Sequence, residues 1–259
     1  MYRVTNALVR SNEMPHYPLL YRIYRCHDDD DPDERKSYTV LEMELADDTL
    51  LKTLVSADSL PGGAKELYDK LFQVLLAHYY LYRYGGFLHG DLKGDNILLL
   101  HGYEDPYVKY SLSPDLFSIP SASARGEKET KTALQSLKLC VPTYGSLVLL
   151  ADFGRSMPVD ANRLVMQPLE LQKQDAKKNP LWDYLRLIVF LQKNLALLSK
   201  STDRVVDDYL QVLQHIEAKI DTARSAADLL QSLVLDRYST SCNETRTRPK
   251  HIEDNANAR

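Results

Sequence analysis

The chain has 259 residues, 44% of them hydrophobic and 26% charged, with a formal net charge of −4. That length can bury a sizeable core, and the near-balanced charge gives no basis for nucleic acid or an anionic membrane as a partner. No stretch of about 18 apolar residues exists, so a membrane span is not expected, and Met1 to Arg10 lacks the apolar core of a signal peptide. Cys26, Cys140 and Cys242 are far apart and in no metal-like spacing. Three free thiols in a reducing, intracellular compartment are the reading that fits.

In chain order, residues 18–26 and 37–45 are apolar or alternating and rich in Tyr, Val, Ile and Leu, which predicts two strands. Between them, residues 28–34 hold six carboxylates in seven positions. A cation site is conceivable there, but like charges without an intervening glycine suit a solvated hairpin tip better. Residues 49–55 predict a short helix and Ser59 to Gly63 a turn. A long helix is expected from Ala64 to Tyr84, with Leu67, Leu71, Val74, Leu75 and His78 on one buried face and Gly85-Gly86 as its stop. His78 reads as a core histidine rather than a ligand.

Residues 87–100 predict a loop that ends in a strand, Ile97 to Leu100. Residues 101–145, with Pro106, Pro114 and Pro120, read as an irregular surface insertion. Residues 146–151 return to a buried strand. The last third predicts helices over 181–198, started by Pro180, then 203–220 and 222–235, with Asp203 and Asp221 as N-caps. Residues 239–259 are polar and read as a disordered tail. Asn243-Glu244-Thr245 matches a glycosylation acceptor triplet, a pattern that arises readily by chance.

The chemistry concentrates in His89-Gly90-Asp91-Leu92-Lys93-Gly94-Asp95-Asn96, with Asp152-Phe153-Gly154 following the apolar strand. An aspartate with an asparagine five residues on, followed by a strand-borne D-F-G, resembles the catalytic core of the eukaryotic-type protein kinase superfamily. The fold this implies is α+β: a mainly helical large lobe with a residual small-lobe strand pair. Residues 1–46 would be the remnant of the small lobe and hinge. Residues 47–238 would be the large lobe, with 101–145 as its insertion and 239–259 as the tail.

The resemblance implies ATP and Mg²⁺ as cofactors and a protein serine or threonine as acceptor, the latter because Lys93 stands two residues after Asp91. It casts Asp91 and Lys93 as catalytic, the first taking the hydroxyl proton and the second lying near the moving phosphate. Asn96 and Asp152 would hold the metal. Met43, Glu44, Leu45 and Ala46 resemble the hinge that bonds adenine, with Met43 as gatekeeper. His89, Phe153 and Gly154 would be structural, and Asp183 would brace the catalytic loop. Gln167-Pro168-Leu169-Glu170 is a loose counterpart of the A-P-E motif.

The pattern also departs from the family. Gly90 stands where an arginine is usual, and 61 positions separate Asp91 from Asp152. The first glycine is Gly62, the first lysine Lys36 and the first glutamate Glu13, so no glycine-rich loop or strand lysine precedes the hinge. Two other expectations therefore stand beside a working kinase. One is a pseudokinase that binds and regulates; the other is a small-molecule phosphotransferase of the aminoglycoside or sugar type, whose loops often read H-G-D. In style the chain resembles the trimmed kinases of large DNA viruses.

Overall fold

A computed structural model describes residues 2–27, 37–56, 60–112, 137–159, 179–198 and 204–238. The elements begin with helix α1 (Tyr2–Arg10), strands β1 (Leu20–His27), β2 (Ser37–Met43) and β3 (Asp48–Thr49), and helices α2 (Leu50–Val55) and α3 (Gly63–Arg83). Strands β4 (Phe87–Leu88), β5 (Ile97–His101), β6 (Tyr107–Leu112), β7 (Leu137–Pro142), β8 (Ser146–Leu150) and β9 (Met157–Pro158) follow. Helices α4 (Pro180–Leu198), α5 (Arg204–Thr222) and α6 (Ala226–Arg237) complete the order.

The arrangement is α+β, as expected. β1 and β2 pair antiparallel with Ile23 opposite Leu41 and Tyr24 opposite Val40. The acidic run, the A-P-E-like residues, Asp203 and the tail lie outside the described residues, so the expectations for them are not addressed.

Helix α3 is the axis of the packing. Its residues are buried on every side from Glu66 to Leu81, not on one face only. The polar residues on this helix tolerate burial because each finds partners. Lys70 Nζ lies 3.1 Å from Glu66 Oε1 and donates to Ser146 Oγ at 2.6 Å. Asp69 accepts from Tyr144 Oη at 2.7 Å, Tyr238 Oη at 2.8 Å and an Arg237 NH2 group at 2.9 Å. Backbone carbonyls of the helix are used as well: Tyr17 and Tyr184 donate their hydroxyls to the Ala77 and Leu75 oxygens.

β5 is the centre of a three-stranded sheet in the order β3-β5-β8, antiparallel throughout, with Ile97 opposite Leu150. Its register sets the entry of β5 beside the exit of β8, and the His89–Asn96 loop and the D-F-G residues sit at those two ends.

The segment 101–145 departs from the irregular insertion expected. β6 and β7 form an antiparallel hairpin whose inner face, Val108, Tyr110, Leu112, Leu139 and Val141, belongs to the hydrophobic core. The alternation in YVKYSL is the strand signal, and it operates despite the flanking prolines. Tyr110 Oη meets His16 Nε2, and His16 Nδ1 is 2.7 Å from the Val148 oxygen, so the hairpin is tied to α1's loop and to β8.

Helix α4 starts at Pro180 as its fixed φ favours. α6 begins later than expected: Ser225, not Asp221, is its N-cap, with Ser225 Oγ accepting from the Asp228 N–H at 3.1 Å. Asp221 lies inside α5.

Among the described residues no helix is long and apolar enough to cross a membrane. Cys26 is a free thiol, but Cys140 is disulfide-bonded. The expectation of three free thiols fails there, and with it the support it lent to a reducing compartment.

Candidate active site

The loop from His89 to Asn96 runs from β4 to β5 and closes in a 3₁₀ turn at Gly94–Asn96. Its shape follows from a small set of buried hydrogen bonds. His89 Nε2 lies 2.8 Å from the Ala151 oxygen, and His89 Nδ1 accepts the Asp91 N–H at 3.3 Å. One nitrogen must donate and the other accept, so His89 is the neutral Nε2–H tautomer. Burial pushes its pKa down to about 4, in keeping with that assignment.

Gly90 N–H donates to Asp183 Oδ2 at 3.0 Å, and His78 Nε2 lies 3.0 Å from the same oxygen. The carboxylate oxygen calls for a proton on His78 Nε2, which the His89 N–H also approaches at 3.3 Å, while His78 Nδ1 is buried without a partner. Burial alone would raise the Asp183 carboxyl; the hydrogen bonds from His78 and Gly90 outweigh it and hold the group below the usual carboxylate range. Asp183 therefore lies where the sequence expected a loop brace, and His78 is its buried partner.

Asn96 Nδ2 donates to the Asp91 oxygen at 2.9 Å, while the Asn96 oxygen of the backbone accepts the Ala151 N–H at 2.9 Å. The second bond continues the β5–β8 pairing by one step and sets Asn96 opposite Ala151, the residue before Asp152. Asp152 itself is left-handed, with φ 59° and ψ 69°, and its Oδ1 accepts the Gly154 N–H at 3.3 Å. An aspartate tolerates that region because its short side chain bonds locally. Phe153 is buried, with its ring 5.2 Å from His89, 5.9 Å from Tyr2 and 6.2 Å from Tyr17. The two sequence motifs are thus packed on each other through one aromatic pair.

The Asp91 side chain is 14% exposed, with Lys93 Nζ 3.3 Å from Oδ2 and an Arg155 NH1 group 3.8 Å from Oδ1. Arg155 was not singled out by the sequence. It arrives because β4 and β9 pair, Leu88 opposite Met157, which lays the residues after D-F-G along the catalytic loop. A side chain at position 90 would collide with this arrangement: a Cβ there would lie 2.4 Å from the Arg155 oxygen, and Gly90 has φ +76°.

The donor set suits magnesium. Asn96 Nδ2 is committed to Asp91, so the amide oxygen is the atom left to a cation, and the exposed Asp152 spends one oxygen on Gly154. Among the described residues no trio of His, Cys, Asp or Glu forms a cage of its own. Magnesium is held by few carboxylates together with phosphate oxygens, and that is what these hard oxygens offer.

At the segment expected to be a hinge, Glu44 N–H donates to the Leu19 oxygen at 2.8 Å, and Leu19 N–H to Glu44 Oε2 at 3.0 Å. Glu44 is buried, Met43 half-buried at the end of β2, and Leu45 87% exposed beside Ala46. The N–H of Glu44 is therefore already used within the protein.

No family model matches the chain. A sequence relative is the "Homeodomain-interacting protein kinase 1" of Caenorhabditis elegans, 28% identical over 183 residues. Over that segment the chain is similar to a protein kinase. The matched segment is 70% of this chain but 20% of that protein, so the chain spans about a fifth of its relative's length. Two solved structures are also slightly similar. One is the Rad53 kinase domain with SCD2, at 17% identity and TM-score 0.41, covering 89% of this chain and 76% of that one. The other is the yeast RNA polymerase II CTD kinase complex CTDK-1, at 18% identity and TM-score 0.36, covering 74% of this chain and 50% of that one.

Two residues of the kinase-like site were not assigned to it from sequence. For His78 the signal was present, a histidine on the long helix, but its partner is 105 residues away. For Arg155 the only signal was its place directly after D-F-G.

Proposed function

We propose that the chain carries the phosphate-transfer site of a Mg²⁺- and ATP-dependent protein kinase that acts on serine or threonine hydroxyls. What supports this reading most is the Ala151–Asn96 backbone bond at 2.9 Å, which joins the entry of β5 to the exit of β8, with Asp152 the next residue after Ala151 and Asp91 on the same loop as Asn96.

In this reading Asp91 orients the acceptor hydroxyl and takes its proton, and its carboxylate is held by the loop rather than by solvent. Lys93 neutralises charge near the transferred phosphate. Asn96 and Asp152 hold magnesium, which would supply further neutralisation between the phosphates when bound. Met43 to Ala46 receive the adenine, through groups other than the Glu44 N–H. His89, Phe153, Gly154 and Asp183 fix the geometry. Lys93 at the second position after Asp91 is the ground for a serine or threonine acceptor.

A second reading, a pseudokinase that binds or regulates, is favoured by one observation: neither β1 nor β2 carries a lysine, and the Asp91 carboxylate already has two cations beside it. The test is transfer of labelled γ-phosphate to a mixture of Ser/Thr peptides by the full chain, with Asp91→Asn as control. Transfer that vanishes in the variant supports the kinase reading. Transfer that survives Asp91→Asn, or occurs only to an aminoglycoside or sugar, overturns it, and no transfer at all leaves the pseudokinase.

A further inference from the structure

A groove of about 330 Å³ runs along α4, lined by Trp182, Leu185, Arg186, Val189, Phe190 and Lys193. These positions recur every three or four residues and so form a single stripe on the helix. The opposite stripe of α4, Tyr184, Leu187, Ile188, Leu191 and Leu195, is fully buried in the core. The outer stripe is only partly covered: Trp182 is 43% exposed, while Leu185, Val189 and Phe190 are half-buried, Leu185 and Phe190 resting on the core. A half-buried apolar floor that ends in an exposed tryptophan, on a helix that is otherwise a core element, suits an interaction surface.

Among the described residues its charge is of one sign. The two ionised side chains lining the groove are Arg186 and Lys193. Asp183, on the same helix, turns inward to His78 and Gly90, and Glu217 of α5 is engaged by Gln192 at 2.7 Å. Apolar floor and cationic rim complement a peptide that pairs an apolar residue with carboxylates.

The groove is also continuous with the candidate active site. An Arg186 NH1 group donates to the Gly90 oxygen at 3.3 Å, one residue from Asp91, and Arg155 reaches to 3.8 Å from the Asp91 carboxylate. A chain whose hydroxyl meets Asp91 and whose flanking residues run toward α4 would pass Arg155, then Arg186, then Phe190 and Lys193.

We infer that this groove docks the acceptor protein, through a segment in which an apolar residue is flanked by aspartate or glutamate. The inference rests on the phosphotransfer reading for the identity of its occupant as a substrate, but not for the groove's preference.

Fluorescence anisotropy separates the two. A pair of labelled peptides shares one serine and the same leucine and phenylalanine content, one carrying Asp and Glu around the leucine and the other Lys and Arg. The acidic peptide should bind the full chain about tenfold tighter or more, a difference within reach of two charge pairs. Lys193→Glu, at an exposed site, should erase that preference. Trp182→Ala should weaken both peptides. Equal binding of the two peptides, no binding of either, or a preference untouched by Lys193→Glu overturns the inference. Magnesium-dependent ADP binding by the wild-type chain is measured in parallel: its absence counts against the phosphotransfer reading while leaving a charge-selective groove standing.

Discussion

His78 and Asp183, 105 residues apart in sequence, meet in the core: His78 Nε2 lies 3.0 Å from Asp183 Oδ2, and the Gly90 N–H reaches the same oxygen at 3.0 Å. A helix at the centre of the molecule, a helix packed beside it and the backbone of the catalytic loop thereby share one carboxylate. Removing that carboxylate leaves a buried imidazole N–H and the half-buried Gly90 N–H unbonded together. Asp183→Ala should therefore cost about 3 kcal/mol or more in urea denaturation, the range for breaking a buried, multiply bonded charge. Asp183→Asn, which keeps the shape, should cost less. The depressed carboxyl adds a pH signature. Its folded pKa lies below its unfolded one, so its contribution is complete above the unfolded value, near 4, and is lost as pH falls through the folded value. The stability gap between wild type and Asp183→Asn should narrow only on that acid limb.

His89 titrates in the opposite chemical sense but with the same direction of loss. Its pKa falls from 6.5 to about 4 on burial. Above 6.5 both folded and unfolded forms are neutral there and stability is at its plateau. As pH falls from 6.5 toward 4, the unfolded chain takes up the proton first, and stability should decline by up to about 3 kcal/mol. His89→Gln should flatten this slope in urea titrations run between those pH values.

Gly90 is required by the Arg155 carbonyl. Gly90→Ala would place a methyl 2.4 Å from that oxygen and hold a non-glycine residue at φ +76°. A loss of about 2 kcal/mol is expected, read as a lower urea midpoint at unchanged slope. Gly90→Arg, which restores the usual family residue, should lose at least as much.

Arg155 is 74% exposed, so its pairing with Asp91 adds little to folding. Arg155→Ala should leave the urea midpoint nearly unchanged while lowering phosphate transfer roughly tenfold, if the guanidinium acts on charge at the site. Unaltered transfer in that variant would make Arg155 a bystander.

Much of the site could be read from the chain because its residues are local: His89 to Asn96 and Asp152 to Gly154 are two short strings whose separation is bridged by an ordinary β5–β8 pairing. The parts that were not legible depend on distant partners. Periodicity gave α3 one buried face, but Glu66, Asp69 and Lys70 are buried too, because Ser146, Tyr144 and Arg237 satisfy them from remote positions. The β6–β7 hairpin was hidden because its strands are separated by a long polar segment, and neither strand alone reveals that it pairs. The start of α6 was misplaced because Asp221 and Ser225 are both sound N-caps, and only the end of α5 decides between them.

Calorimetric titration of ADP into the full chain, with and without magnesium, tests most directly whether Asp91's loop and the D-F-G turn build one phosphate site. Binding should require magnesium and weaken about tenfold or more in both Asn96→Ala and Asp152→Asn. Asp152→Asn should also hold its urea midpoint, since asparagine accepts the same left-handed backbone and the same Gly154 N–H. ADP binding that ignores magnesium, or that survives both substitutions unchanged, would contradict the shared site.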